Sequence, residues 1–261
     1  MRIYIHTDLE GVSGITEPGQ VKLGREPQPE ATARRLMADV NAAVDGAFAG
    51  GATFVTVVDE HRGGGNFIME QLDPRADYDA KENGEWYGKL DDSYDGAFVV
   101  GAHAMLGVPR AFLCHAFSGE FYKYMVNGRE MGELGMFAMV AGHFGVPVIM
   151  VSGDDAACRE AANFFDPVTT APVKKSVSVV KAVSLPDKEA ENLIRQAAKD
   201  AMSLIGSARP FRPTLPMEIK IEYVMTWGKN PAERAAKRPG AERIDGRTVR
   251  RLSDNYLDIF I

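Results

Sequence analysis

The amino-acid sequence predicts an α/β fold: a mostly parallel sheet flanked by helices, Rossmann-like and three-layered, with a smaller α+β C-terminal domain. Three observations predict it. Short apolar runs rich in β-branched residues recur at 3–5, 53–58, 96–101 and 146–151. Segments with apolar residues at helical spacing alternate with them. Several of the connections are short. Strand and helix in alternation imply parallel strands with crossover helices.

The first strand spans about residues 2–8. A helix follows over 31–49, where Ala33, Leu36, Met37, Val40, Val44, Ala47 and Phe48 share one face. Gly50-Gly51 ends it. Residues 53–58 form the second strand and 96–101 the third. Asn127-Gly128 marks a hairpin turn between alternating segments. Residues 132–144 are helical, "VPVIMVSGDD" (146–155) is a buried strand, and 155–165 are helical. A boundary falls at 165/166. Residues 1–165 make the larger α/β domain, in which all the candidate site residues discussed below fall, and 166–261 a smaller α+β domain expected to contribute oligomer contacts. The smaller unit holds a strand over 174–185, a helix over 187–205 and a proline-rich link over 207–216. A strand over 218–226 and a charged tail ending in a short helix complete it.

Bulk properties narrow the function. A formal net charge of −6 disfavours a general affinity for nucleic acid or anionic membrane. Cys114 and Cys158 lie far apart and outside any CxxC spacing, which suggests a reduced, cytoplasmic protein. The apolar stretch before His6 is too short for a signal-peptide core, and no run approaches a membrane span.

The informative feature is "HTDLEGVSG" (6–14), where a buried strand ends in two acids, Asp8 and Glu10. Unpaired charges are costly to desolvate, so such acids need a partner. In a parallel sheet, ligands bind at the carboxyl ends of the strands. There the 53–58 strand runs into His61, and the 96–101 strand into His103. Glu133 shares a helical face with Phe137, Val140, Ala141 and Phe144, which turns a carboxylate inward. Asp8, Glu10, His61, His103 and Glu133 therefore offer three carboxylates and two imidazoles, a set that suits zinc, manganese or cobalt. Five donors exceed the three that one catalytic zinc usually needs. They fit two ions about 3.5–4 Å apart that share a carboxylate. Asp8, at the strand end, is the natural bridge, with Glu10 to one side. His115, in "LCHAFSG", is a spare imidazole able to stabilise an oxyanion or move a proton to a leaving amine.

At these residues the sequence resembles the D-aminopeptidases of the dipeptide-transport-operon type, a zinc metallopeptidase family. The matching pieces are "DLEGVSG" (8–14), "VVDEHRGGGN" (57–66), "GAHA" (101–104), "CHAFSG" (114–119), "VNGREMGELG" (126–135), "GVPVIMVSGDD" (145–155) and "VTTAPVKKSVS" (168–178). The likeness covers roughly the first 180 residues. It implies a dinuclear zinc centre, two Zn2+ per subunit. Asp8 would bridge, with Glu10 and His61 on one ion and His103 and Glu133 on the other. It also implies a catalytic His115, short peptide substrates with an N-terminal D-residue, and a ring-like homo-oligomer, a decamer. Three features depart from the family pattern: His6, one strand step before Asp8, the bulky segment "AFSGEFYKY" after His115, and the C-terminal region with its basic run.

Other readings share these residues. A two-metal phosphoesterase uses the same centre but needs a basic clamp, for which the strand tips offer only Arg62. A non-catalytic peptide-binding protein could keep the crevice. Gly63-Gly64-Gly65 lacks the helix-opening pattern of a phosphate loop. Asp154-Asp155 reads as a helix cap, Cys114 as a small buried hydrophobe and His143 as a helix-end residue. His6 reads as structural, or as a hydrogen-bond partner of a ligand carboxylate.

Overall fold

The structure, a computed structural model, describes residues 1–22, 26–225 and 227–261. β1 (Arg2–Thr7) leads through α1 (Glu30–Ala49) to β2 (Phe54–Asp59), which pairs in parallel with β1. β3 (Asp77–Asp79) adds in parallel beyond β2. β4 (Gly96–Ala102) then joins the other side of β1, again in parallel. The chain leaves this sheet for the hairpin β5 (Phe121–Val126) and β6 (Arg129–Glu130), and returns through α2 (Glu133–His143) to β7 (Val148–Asp154). α3 (Asp155–Phe164) leads to β8 (Thr169–Ser178), parallel to β7, and β9 (Lys181–Ser184) turns back antiparallel. α4 (Asp187–Ala201) precedes β10 (Met217–Tyr223), α5 (Pro231–Ala235), β11 (Ala241–Arg243) and β12 (Thr248–Ser253). The strand orders are β3-β2-β1-β4-β7-β8-β9 and β11-β12-β10-β5-β6.

The sequence explains the layering. β4 and β7 are buried along their whole length, as expected for strands covered on both faces. On one face α1 and α4 pack Leu36, Val40, Val44 and Ile194 with Ile3, Ile5 and Val57 of the sheet. On the other face α2 and α3 join Phe137, Val140 and Ala157 to Met217, Ile219 and Ile221 of the second sheet.

Chain direction switches at β1, which has β2 on one side and β4 on the other. The crevice beyond the carboxyl ends of those strands is where such sheets bind ligands. Two glycines close it to the right width. The Gly11 amide donates to Gly101 O at 2.8 Å, and that of Asp8 to Val100 O at 2.8 Å. A Cβ on Gly11 would lie 2.0 Å from Ala102 O. One on Gly101, whose φ is +82°, would lie 2.1 Å from Asp8 O. Only glycine lets the loop after β1 lie directly on the tip of β4.

Most expected elements form within a residue or two of their predicted bounds, and Asn127 and Gly128 take the paired positive φ of a tight hairpin. Four details differ. The strand expected over 174–185 is two, β8 and β9, reversing at Val179-Val180. The helix expected to reach 205 ends at Ala201 and tightens into a 3-10 turn, Met202–Leu204. The charged tail carries two strands, with a helix at 231–235 rather than at its end. Sheet membership also crosses the 165/166 boundary: β8 and β9 extend the first sheet, and β5 and β6 belong to the second. The reason is the α3 crossover, which lays β8 beside β7 and so continues the parallel order. Thr226, the last residue of the expected 218–226 strand, lies outside the described residues.

Candidate metal centre

Asp8 and Glu10 follow β1, His61 follows β2, His103 follows β4, and Glu133 is the first residue of α2. The three strand tips are adjacent because β2, β1 and β4 are adjacent. α2 starts at this point, so its amino end faces the same crevice, where its dipole suits a carboxylate. His115 comes from the loop after β4, held by an isolated parallel bridge to Met105.

The five residues converge. His61 Nδ1 lies 3.1 Å from Asp8 Oδ1 and 3.0 Å from Glu10 Oε2. His103 Nε2 lies 3.4 Å from both Asp8 Oδ2 and Glu133 Oε1. Each oxygen of Asp8 thus meets a different histidine. His115 Nε2 stands 3.6 Å from Glu133 Oε1, and its ring stacks on His103 at 3.9 Å. Two groups of donors lie within 4.8 Å of one another: Asp8, Glu10 and His103, and His103, His115 and Glu133. In the second group His115 stands where the expected division has Asp8.

The electrostatics favour a cation. Glu10 Oε2, His61 Nε2 and His103 Nε2 are buried without a hydrogen-bond partner among the described residues. Glu10 Oε2 is close to His61 Nδ1 but off the line of a hydrogen bond. Burial opposes charge on Glu10, yet the His61 imidazole beside it and the His103 and His115 rings hold its carboxyl far below the usual range. Burial also opposes charge on His61, and contacts with Asp8 and Glu10 overcome it and push the imidazole up to about 10. His103 rises likewise, against burial, through Glu133, Asp8 and Glu10. The field that draws a proton to these nitrogens draws a divalent ion equally, and the donor set is one that zinc accepts. The residues fit the metal.

Imidazole tautomers fit as well. His103 Nδ1 lies 2.9 Å from Ala104 O, and His115 Nδ1 lies 2.8 Å from Leu113 O. A carbonyl only accepts, so Nδ1 carries the proton in each ring. Nε2 is then the atom of each ring that faces the cluster and would give its lone pair to a bound ion.

Several supporting residues were not singled out in the sequence. The Asn66 amide and Nδ2 donate to Asp59, and Nδ2 also donates to His61 O at 2.8 Å. Glu160 Oε2 accepts from Met105 N at 2.7 Å, beside His103. Lys174 holds the loop that carries Glu10. Lys81 Nζ donates to Asp59 O and pairs with Glu60 at 3.1 Å in the cavity wall. The "DEHRGGGN" spacing is the one available signal, since it puts Asn66 within a turn of His61. Asn66→Ala frees the His61 carbonyl and removes one of the two Asn66 donors to buried Asp59, the backbone amide remaining. Metal affinity or activity should fall about 10–100-fold, read by titrating metal into the chelated variant.

The other expectations resolve simply. His6 makes no hydrogen bond to a carboxylate among the described residues, but stacks on Phe137 at 4.1 Å. Burial pushes it down to about 4, so it is neutral at pH 7. Asp154 caps α3 by accepting from Ala157 N. Cys114 and Cys158 are buried and unpaired, and burial pushes the Cys158 thiol up to about 12. His143 ends α2. No described helix is long and apolar enough to cross a membrane.

A doubly wound sheet with carboxylates and imidazoles gathered at its switch point is the build of a metal-dependent hydrolase. A family model described as D-aminopeptidase matches residues 1–261, and the chain belongs to that family. The likeness therefore runs past the first 180 residues to the end of the chain. A D-aminopeptidase of Bacillus subtilis (strain 168) is 33% identical over 253 residues, 95% of this chain and 90% of the relative. A solved structure is similar with a TM-score of 0.91 and 31% identity, covering 99% of this chain and 94% of the other. It is described as a Zn-dependent D-aminopeptidase DppA from Bacillus subtilis, a self-compartmentalizing protease.

Proposed function

We propose that this chain is a zinc-dependent aminopeptidase that removes N-terminal D-residues from short peptides or amides at a dinuclear centre. Asp8 with Glu10 and His61 would hold one ion, and Asp8 with His103 and Glu133 would hold the other. The observation that carries the reading is Asp8 itself, whose two oxygens lie 3.1 Å from His61 and 3.4 Å from His103. The zinc dependence of the similar solved structure supports the choice of metal. Zinc at such a centre supplies Lewis-acid polarisation of a carbonyl and a lowered water pKa.

The protein's own groups do the rest. His103 and His115 are oriented by their carbonyl partners, Ala104 and Leu113. His115 is half-exposed to the cavity, and its Nε2, 3.6 Å from Glu133 Oε1, is placed to take a proton and hand it to the leaving amine. Glu133 Oε1 lies 3.4 Å from His103 Nε2 and 3.6 Å from His115 Nε2, close enough for the three to share a cation. A phosphoesterase reading needs a cationic clamp, whereas the described cavity lining holds only two Lys or Arg cations, Arg62 and Lys81, and Lys81 is paired with Glu60. A binding protein without turnover has no need of a spare imidazole oriented toward the centre.

The site assignment is tested on His115. His115→Ala should lower kcat by about 10²–10⁴-fold while bound zinc per chain stays at the wild-type level. Loss of zinc together with activity would instead make His115 a ligand, as its grouping with His103 and Glu133 allows.

The assembly and setting follow the same reading. The chain forms a homo-oligomer, a decamer, in the cytoplasm, and the segment from 166 supplies subunit contacts. The similar structure's description as self-compartmentalizing supports assembly. Exposed Val177, Val180, Val183 and Leu252 support the contact role. The two unpaired cysteines support a reducing compartment.

A further inference from the structure

The cavity over the centre holds about 1040 Å³ and is shared by two kinds of wall. One is the metal cluster with His115. The other is aromatic: His6, Trp86, Phe117 and Phe137 all line the same space. We propose that this aromatic wall is a side-chain subsite, and that it selects a ring-sized apolar side chain flanking the scissile bond. The proposal rests on the aminopeptidase reading and deepens it.

The wall is tied to the reacting groups by local geometry. Phe137 stands four residues after Glu133 on α2, so both project from one face toward the cavity. Phe117 stands two residues after His115 and also lines the cavity. His6 stands two residues before Asp8 and, like it, lines the cavity. An apolar group resting on these rings is therefore a few bonds from the carbonyl that meets the centre.

The rings form a connected surface. His6 stacks on Phe137 at 4.1 Å, and Trp86 meets His6 edge-on at 5.7 Å. Trp86 also meets Phe117 at 5.9 Å and Phe137 at 6.4 Å, both edge-on. Those are the spacings at which aromatic rings attract. Phe137 is buried, but Phe117 is 40% exposed and Trp86 only half-buried. Phe137 and Trp86 back onto the core, and the face that Phe117 and Trp86 leave open over the cavity is one that a ligand can cover.

Trp86 is also held in place before any ligand arrives. Its loop is pinned to buried Asp79, which accepts from Tyr4 Oη at 2.7 Å, from Lys81 N at 2.9 Å and from Lys89 N. Tyr4 Oη reaches Tyr87 O at 2.9 Å, and Asn83 Nδ2 closes the loop on Gly88 O at 2.6 Å. A wall fixed in advance loses little freedom when a ring docks on it. Its size also matters, because the cavity is at the upper end of those that take drug-sized ligands and exceeds what two alanyl residues fill.

The test compares kcat/KM of the zinc-loaded enzyme on D-alanine amide, D-phenylalanine amide, D-alanyl-D-alanine and D-alanyl-D-phenylalanine. One or both phenyl substrates should exceed the alanyl counterpart by at least about tenfold. Gain with the amide puts the ring on the amino side of the bond, and gain with the dipeptide puts it on the leaving side. Trp86→Ala and Phe117→Ala should each collapse that ratio toward one, and the second stands in should the first fail to fold. A wild-type ratio below about threefold on both sides, or a ratio untouched by both variants, overturns the subsite.

If no D-substrate is turned over, the aminopeptidase reading fails and the subsite is judged by binding. Trp86 and Trp227 are the two tryptophans of the chain. Trp227→Phe therefore leaves Trp86 as the sole indole reporter. D-phenylalanine amide should change its fluorescence saturably at concentrations where D-alanine amide does not, and equal responses to both would overturn the proposal.

Discussion

Asp8→Ala should remove zinc from the centre and lower kcat/KM by at least about 10³-fold. A metal centre contributes several kcal/mol of transition-state stabilisation, and each 1.36 kcal/mol is about tenfold in rate. Asp8 is the one residue whose oxygens meet both His61 and His103. Its loss therefore strips a donor from both sides, whereas loss of Glu10 or Glu133 strips one. Zinc counted by elemental analysis should fall below the Glu133→Ala level, and the circular dichroism spectrum should persist. Asp8→Ala protein that keeps full zinc and turnover would remove the bridge from the mechanism.

Lys174→Met should cost about 4 kcal/mol of stability and lower the unfolding midpoint by about 10 °C. Lys174 is almost wholly buried, and its ammonium donates to Glu10 O at 2.6 Å, and to Val12 O and Ile15 O at 2.7 Å. Three carbonyl acceptors match the three donors of an ammonium. Burial pushes its pKa down to about 7, while Asp39 nearby works against that fall. Asp39 in turn accepts from the Ser13 amide at 2.8 Å and its hydroxyl at 2.6 Å. The loop from Glu10 to Ile15 is thus gripped from two sides. Methionine keeps most of the volume but leaves three buried carbonyls without donors, each worth about 1–3 kcal/mol. Glu10 sits at the end of that loop, so zinc affinity should drop with stability. A midpoint within about 2 °C of wild type would show that water replaces the ammonium.

The site was more legible in the sequence than its support. Acids at the end of a buried strand are conspicuous because desolvation makes them expensive, and parallel strand order brings tips 50 or more residues apart together. Lys174 gave no such signal. It sits beside Lys175 in an alternating strand, and a register irregularity against β7 buries both Val173 and Lys174 while Lys175 points out. Period-2 reasoning fails at a bulge. The tail was opaque for a different reason. β12 is held to its sheet partly by ion pairs of Arg250 with Glu218 of β10 and with Glu242 of β11. Charges that pair across strands read in sequence as a solvated stretch. Trp86 was hidden because its loop is held in part by Tyr4, distant in sequence, and carries no repeat of its own.

Turnover should depend on metal and favour D-residues. The direct measurement is a hydrolysis panel of paired L- and D-aminoacyl amides and dipeptides, run with and without a chelator. Turnover of the D-series should exceed that of the L-series, be abolished by chelation and be restored by zinc. Equal turnover of both series, or turnover that survives complete removal of metal, would contradict that expectation.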